Sequence, residues 1–165
     1  MSISEALLPE FDEEMANLRR TLERIPDHLF EYKPHPKSNT AKWMMNHLAN
    51  LPGWTVMTLK NDGLDFSPDY KEEQGATTNE VLAIFDRNLS AARVAITETT
   101  DEEWMQNWTL SSSGREIFSM PRIACMRGMI LNHMIHHRAQ LTVYLRLNDL
   151  PVPALYGPSA DEGNF

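Results

Sequence analysis

A chain of 165 residues with 42% hydrophobic content is the size of one domain and can bury about two-thirds of its unfolded surface. Fifteen Lys and Arg against 23 Asp and Glu leave a formal net charge of -8, with no basic stripe to neutralise phosphates, so nucleic acid and anionic membrane are poor partners. Met1–Glu5 lacks a basic stretch followed by an apolar run, no apolar run approaches 18 residues, and a single cysteine, Cys125, leaves no internal disulfide. The expectation is one cytoplasmic domain over 1–165, with Cys125 a small buried residue.

Leu8, Phe11, Met15, Leu18, Leu22 and Ile25 recur at alternating steps of three and four, which predicts a first amphipathic helix. Pro9 suits its first turn and Pro26 helps end it. Pro26 to Thr40 carries three prolines and reads as an extended connection whose His28 and His35 are solvated. Ser38, Asn39 or Thr40 can cap a second helix with Trp43, Met44, His47, Leu51 and Trp54 on one stripe. The phase continues past Pro52-Gly53, which predicts a kink, and Asn61-Asp62-Gly63 ends the helix. Residues 64–76 read as a polar linker. Thr77 and Glu80 form a capping-box signature before a third helix that ends near Thr99. Asp101–Trp104 adds a short helical turn. Two short strands about Ser111–Gly114 predict a minor hairpin.

Pro121 opens a fourth helix that runs to about Asn148, followed by an irregular, apolar tail from Pro151. Half of the six histidines fall within five of its residues, His133, His136 and His137. At 3.6 residues per turn, His133 and His137 point about 40° apart and lie roughly 6 Å apart along the axis, a spacing at which two imidazoles can share one metal ion. His133 and His136 are neighbours too, so the apolar phase must choose. Met126, Met129, Ile130, His137, Gln140, Leu141, Tyr144 and Leu147 share the side of His133, whereas Arg127, Arg138, Thr142 and Arg146 fall opposite. His136 lies at the edge, a boundary or supporting position. A buried imidazole is costly unless it is hydrogen-bonded or ligated. With His47 on the second helix, His133 and His137 make a three-His constellation if the two helices pack side by side.

Ala124, Leu131, Ile135, Ala139 and Leu145 give the fourth helix a second apolar side, which must meet either several helices or a partner subunit; a homodimer is expected. The architecture predicted is all-α, a four-helix bundle with a minor β-hairpin between helices 3 and 4. The residues three before His47, His133 and His137 are Met44, Ile130 and Met134, so the Glu-x-x-His pairs of di-iron bundles are absent. Met134 stands where a zincin needs Glu. No carboxylate is placed as a general base, which favours a metal acting as Lewis acid, or lowering the pKa of a bound thiol or water, in a pocket of Trp, Met and Tyr.

Met45-Asn46-His47-Leu48-Ala49, the run from Asn132 to Arg146 with its His-x-x-x-His-Arg-x-Gln pattern, and the order of the four helices resemble the DinB superfamily, also called the YfiT-like metal-dependent hydrolases. The likeness covers essentially the whole chain. It implies a four-helix bundle, usually dimeric, with a divalent metal, often nickel or zinc, held by His47, His133 and His137. Characterised relatives are bacillithiol- or mycothiol-dependent S-transferases and a mycothiol-dependent maleylpyruvate isomerase.

The function expected is therefore a metal-dependent thiol S-transferase, in which a low-molecular-weight thiol occupies the open coordination position and attacks a small electrophilic substrate. Gln140 and Tyr144 are the candidates for orienting thiol or substrate. A local basic patch from Arg138 or Arg122 would favour an acidic thiol, and its absence would count against one. The alternatives are a hydrolase that activates water at the metal, and a non-catalytic dimeric stress or interaction protein.

Overall fold

The protein was analysed as a computed structural model that describes residues 1–66 and 70–163. Helix α1 spans Ile3–Leu22 and starts where Ser2 and Glu5 exchange side-chain and backbone hydrogen bonds in a capping box. That box sets the start ahead of Pro9, which lies inside the helix rather than in its first turn. Phe11, Met15, Leu18 and Leu22 form the expected seam and are fully buried. The connection that follows contains a 3-10 turn at Asp27–Leu29 and buries Leu29 and Phe30, while His28 and His35 are exposed.

Helix α2, Ala41–Lys60, is capped by the Thr40 hydroxyl and passes through Pro52 without ending. It packs along α3, Thr78–Glu98, where Asn88 Nδ2 donates to the Ala49 carbonyl at 3.0 Å. Thr77 caps α3, but the Glu80 carboxylate reaches past it to accept from the Ala76 N–H at 2.7 Å, so the predicted box closes on only one side. A short α4, Asp101–Met105, buries Trp104, whose indole N–H donates to Ser4 Oγ at 2.8 Å and ties the segment to the first turn of α1.

The hairpin is present as β2, Asn107–Ser112, and β3, Arg115–Pro121, turning through Ser113 and Gly114 at φ 51° and 76°. The polar-linker reading of 64–76 fails at its start, because Gly63–Phe66 form a strand, β1, that pairs in parallel with β2. A Cβ at Gly63 would sit 2.5 Å from the Thr109 carbonyl oxygen, so the close approach requires glycine.

The fourth helical run is continuous but not uniform. Helix α5, Arg122–Cys125, widens into i→i+5 turns over Met126–Asn132 before α6, His133–Leu147. Leu131, Met134, Leu141 and Leu145 are buried where α6 meets α1 and α2. Of the second apolar side, Leu131 and Leu145 are buried within the chain and Ile135 partly so, while Ala124 and Ala139 are exposed. Two positions depart from the straight-helix phase. Leu147 is 57% exposed in the last turn, and Arg138 is 1% exposed beneath the C-terminal segment. That segment packs Leu150 and Val152 on the core and pairs Asp161 with Arg146 and Glu162 with Arg24. The described residues are mostly helical, with a small three-stranded sheet of order β1-β2-β3. No helix among them is long and apolar enough to cross a membrane.

Candidate metal centre

Side-by-side packing of α2 and α6 brings together the three histidines singled out by their helix phase. His47 Nε2 lies 3.4 Å from His133 Nε2, which lies 2.8 Å from His137 Nε2. All three rings are partly buried, and one nitrogen from each falls within 4.8 Å of the others. On the far side of each ring, Nδ1 faces an acceptor. His133 Nδ1 donates to the Met129 carbonyl at 3.3 Å, His137 Nδ1 to Gln140 Oε1 at 2.8 Å, and His47 Nδ1 to Glu72 Oε1 at 3.2 Å. Fixing the proton on Nδ1 leaves the lone pair on Nε2, so three lone pairs converge with no donor between them.

Such a cluster is unfavourable unless a cation or a proton enters it. Burial pushes His133 below its ordinary pKa, as do the neighbouring His47 and His137, and burial likewise lowers His137, opposed by its hydrogen bond to Gln140. The protonated form is thereby disfavoured. A divalent ion fits better: nitrogens at about 2.0–2.1 Å from a tetrahedral ion stand roughly 3.3 Å apart. The cluster can hold a metal ion.

The wide turns before α6 place one of these rings directly. The backbone N–H of His133 bonds to the Ile130 carbonyl, and the ring takes the Met129 carbonyl. Glu72 escaped the sequence reading because it lies in the stretch taken for a linker. Its position comes from α2: Asn46 Oδ1 accepts from the Gly75 N–H at 2.6 Å, Asn46 Nδ2 donates to the Gly75 carbonyl at 3.2 Å, and Asn50 Nδ2 donates to the Glu73 carbonyl at 2.9 Å. Gly75 packs so closely that a Cβ would meet Val81 N at 2.7 Å. The strap from Tyr70 to Gly75 is therefore pinned to the helix that carries His47.

The same strap walls a cleft of about 630 Å³ that reaches His47 and His133. Trp54, Phe66 and Tyr70 pack edge to face or tilted, with centroids 5.1–6.3 Å apart, and Trp43 stacks on His47 at 4.9 Å. Leu110 and Met129 complete an apolar lining. Gln140 holds the His137 ring. Tyr144, 5% exposed, donates its hydroxyl to the Asn39 carbonyl at 2.9 Å and packs edge to face on Tyr32. His136 is exposed, its ring 5.0 Å from that of His137.

The expected basic patch is not made by Arg138 or Arg122. Arg138 is buried against Glu14 at 2.8 Å and bonds the Tyr156 hydroxyl. Arg122 is buried against Asp62, the Asn61 carbonyl and Gln106. Both are held by protein acceptors away from the cleft lining, although Arg122 Nε is buried without a partner among the described residues.

Comparison with known proteins agrees with this architecture. The profile described as DinB superfamily matches residues 10–141. A crystal structure of a DinB-like protein from Bacillus cereus ATCC 10987 superposes with a TM-score of 0.73 at 20% identity, covering 94% of this chain and 98% of that chain, a likeness of fold. No curated protein matches.

Proposed function

We propose, because the chain belongs to the DinB superfamily, that it is a metal-dependent enzyme in which His47, His133 and His137 hold one divalent ion, nickel or zinc, and a low-molecular-weight thiol is the co-substrate. The observation that carries this reading is the convergence of three Nε2 lone pairs whose Nδ1 protons are already committed to Met129, Gln140 and Glu72. We read the packing of α1, α2, α3 and α6 as a four-helix bundle, residues 1–165 as one domain, and the active species as a cytoplasmic homodimer.

An ion bound there would supply a Lewis-acid position that lowers the pKa of a coordinated thiol or water. The chain's own residues do the rest. Met129, Gln140 and Glu72 hold the three rings in one tautomer and one orientation. Trp54, Phe66 and Tyr70 exclude water and hold the apolar body of a small electrophile. The thiolate sulfur forms a bond to the electrophilic carbon as its leaving group departs, and the thiol proton passes to solvent. Tyr144, bonded to Asn39, acts as a structural tie between the connection after α1 and α6.

Elemental analysis of untagged protein beside His47→Ala and His133→Ala tests the centre. About one ion per chain, lost in both variants while the helical signal persists, is expected. No ion after incubation with excess nickel and zinc would overturn the reading. Thiol-dependent consumption of alkyl halides or epoxides by loaded protein is then expected; turnover without thiol would make it a hydrolase. Fold loss on chelation would make the ion structural.

A further inference from the structure

A second cleft, of about 440 Å³, reaches the same centre from another side. His137 and Gln140 line it, whereas His47 and His133 line the aromatic cleft. The histidine cluster is thus a partition between two clefts. Their chemistry differs. The second is walled by the connection before α2, through Lys37, Ser38 and Asn39, and by the C-terminal half of α6. Its lining contains no carboxylate. Lys37 and Asn39 are exposed, and their side chains have no hydrogen-bond or ion-pair partner among the described residues.

The charge pattern of the chain sharpens the contrast. Although the protein carries 23 acidic residues and a net charge of -8, no Asp or Glu occurs between Glu31 and Asp62 or between Glu116 and Asp149. Those two acid-free stretches supply every wall of the second cleft. Lys33, Lys37 and Lys42 fall in the first of them. The aromatic cleft, by contrast, has its one lysine, Lys71, next to Glu72 and Glu73 on the strap, so its charge is offset locally. The second cleft is a place in this acidic protein where an anion meets donors without meeting a carboxylate in the wall.

We propose that this second cleft binds a hydrophilic, carboxylate-bearing small molecule through Lys37, Ser38 and Asn39, beside the histidine centre and apart from the aromatic cleft. The assignment deepens the thiol-transferase reading and rests on it for one point: the carboxylate-bearing molecule would be the thiol co-substrate, while the apolar electrophile occupies the aromatic cleft. The basic element sought at Arg138 and Arg122 is then Lys37.

The test titrates S-methylglutathione, which keeps the carboxylates but has no thiol, and its dimethyl ester into the full chain, metal-free and zinc-loaded, with backbone amide shifts as readout. The acid is expected to shift His35, residues 37–39 and residues 140–143, and either esterification or Lys37→Glu is expected to weaken it about tenfold or more. 1-Naphthol is expected to shift Trp54 and Tyr70 with an affinity that Lys37→Glu leaves unchanged. Shifts of the acid confined to the aromatic cleft, or equal affinity for acid and ester, would overturn the proposal, as would indifference to Lys37→Glu. Binding as expected with no reaction of free glutathione with any electrophile would reject the transferase reading and keep the subsite. Glutathione turnover with a KM indifferent to Lys37→Glu would reject the subsite and keep the transferase.

Discussion

His137 and Arg138 are neighbours in sequence and both largely buried, yet they end in opposite kinds of polar site. Arg138 meets protein partners: the Glu14 carboxylate at 2.8 Å, the Glu14 carbonyl at 3.1 Å, and the Tyr156 hydroxyl, whose oxygen lies 2.8 Å from each Glu14 carboxylate oxygen and whose ring is 5.2 Å from the guanidinium. Its charge is met within the protein. His137 and its two companions present only acceptors to one another. A closed site of this kind contributes to holding α1, α6 and the C-terminal segment together; an open one is an invitation to an ion.

The comparison breaks if the two sites respond alike to truncation. Arg138→Met leaves the Glu14 carboxylate buried without its counter-charge and is expected to lower unfolding free energy by about 3–5 kcal/mol, read from denaturant curves, with ion content per folded chain unchanged. Loss of the ion in that variant while it remains folded would show that the two sites are not independent. Glu72→Gln keeps the size and one acceptor but removes the charge behind His47. It is expected to weaken zinc or nickel affinity roughly 10- to 100-fold, measured against a competing chelator, with little change in the stability of the metal-free protein.

The smallest effect sharpens the contrast through pH. Folding lowers the pKa of His133 and of His137, mainly by burial, so between their folded values and the ordinary value near about 6.5 the unfolded chain holds more protons. Stability of the metal-free protein therefore rises with pH through that window, is complete above it, and is lost as pH falls. Chelator-treated protein is expected to show a lower Tm at about pH 5 than at about pH 7.5, and His133→Ala to flatten that dependence. An unchanged slope in the variant would remove His133 as its source.

What could be read from the sequence was what helical periodicity controls. His47, His133 and His137 each share a stripe with apolar neighbours, and Thr40 begins a helix by chemistry confined to one turn. The Ser2-x-x-Glu5 box follows the same local rule as Thr77, and it sets the start of α1 ahead of Pro9. Glu72 was out of reach for another reason: no period marks it, and its place depends on Asn46 and Asn50 reaching across 23 to 29 residues to backbone groups. Strand β1 likewise depends on a partner strand more than 40 positions away. Arg138 was assigned the solvent side correctly for an isolated helix, but Tyr156 and Glu14 cover that side. The wide turns over Met126–Asn132 carry no sequence mark that distinguishes them from ordinary helix.

The strap from Tyr70 to Gly75 has one more consequence. It presents Tyr70 to the aromatic cleft and Glu72 to His47 on the same few residues, with Asn46 and Asn50 holding Gly75 and Glu73 to α2. A molecule pressing on Tyr70 would thereby bear on the orientation of Glu72, and an ion bound at His47 would bear on the wall that molecule leans against. Thermodynamic linkage makes such an effect mutual: whatever factor the ion contributes to the affinity of the cleft, the cleft's occupant returns to the affinity for the ion.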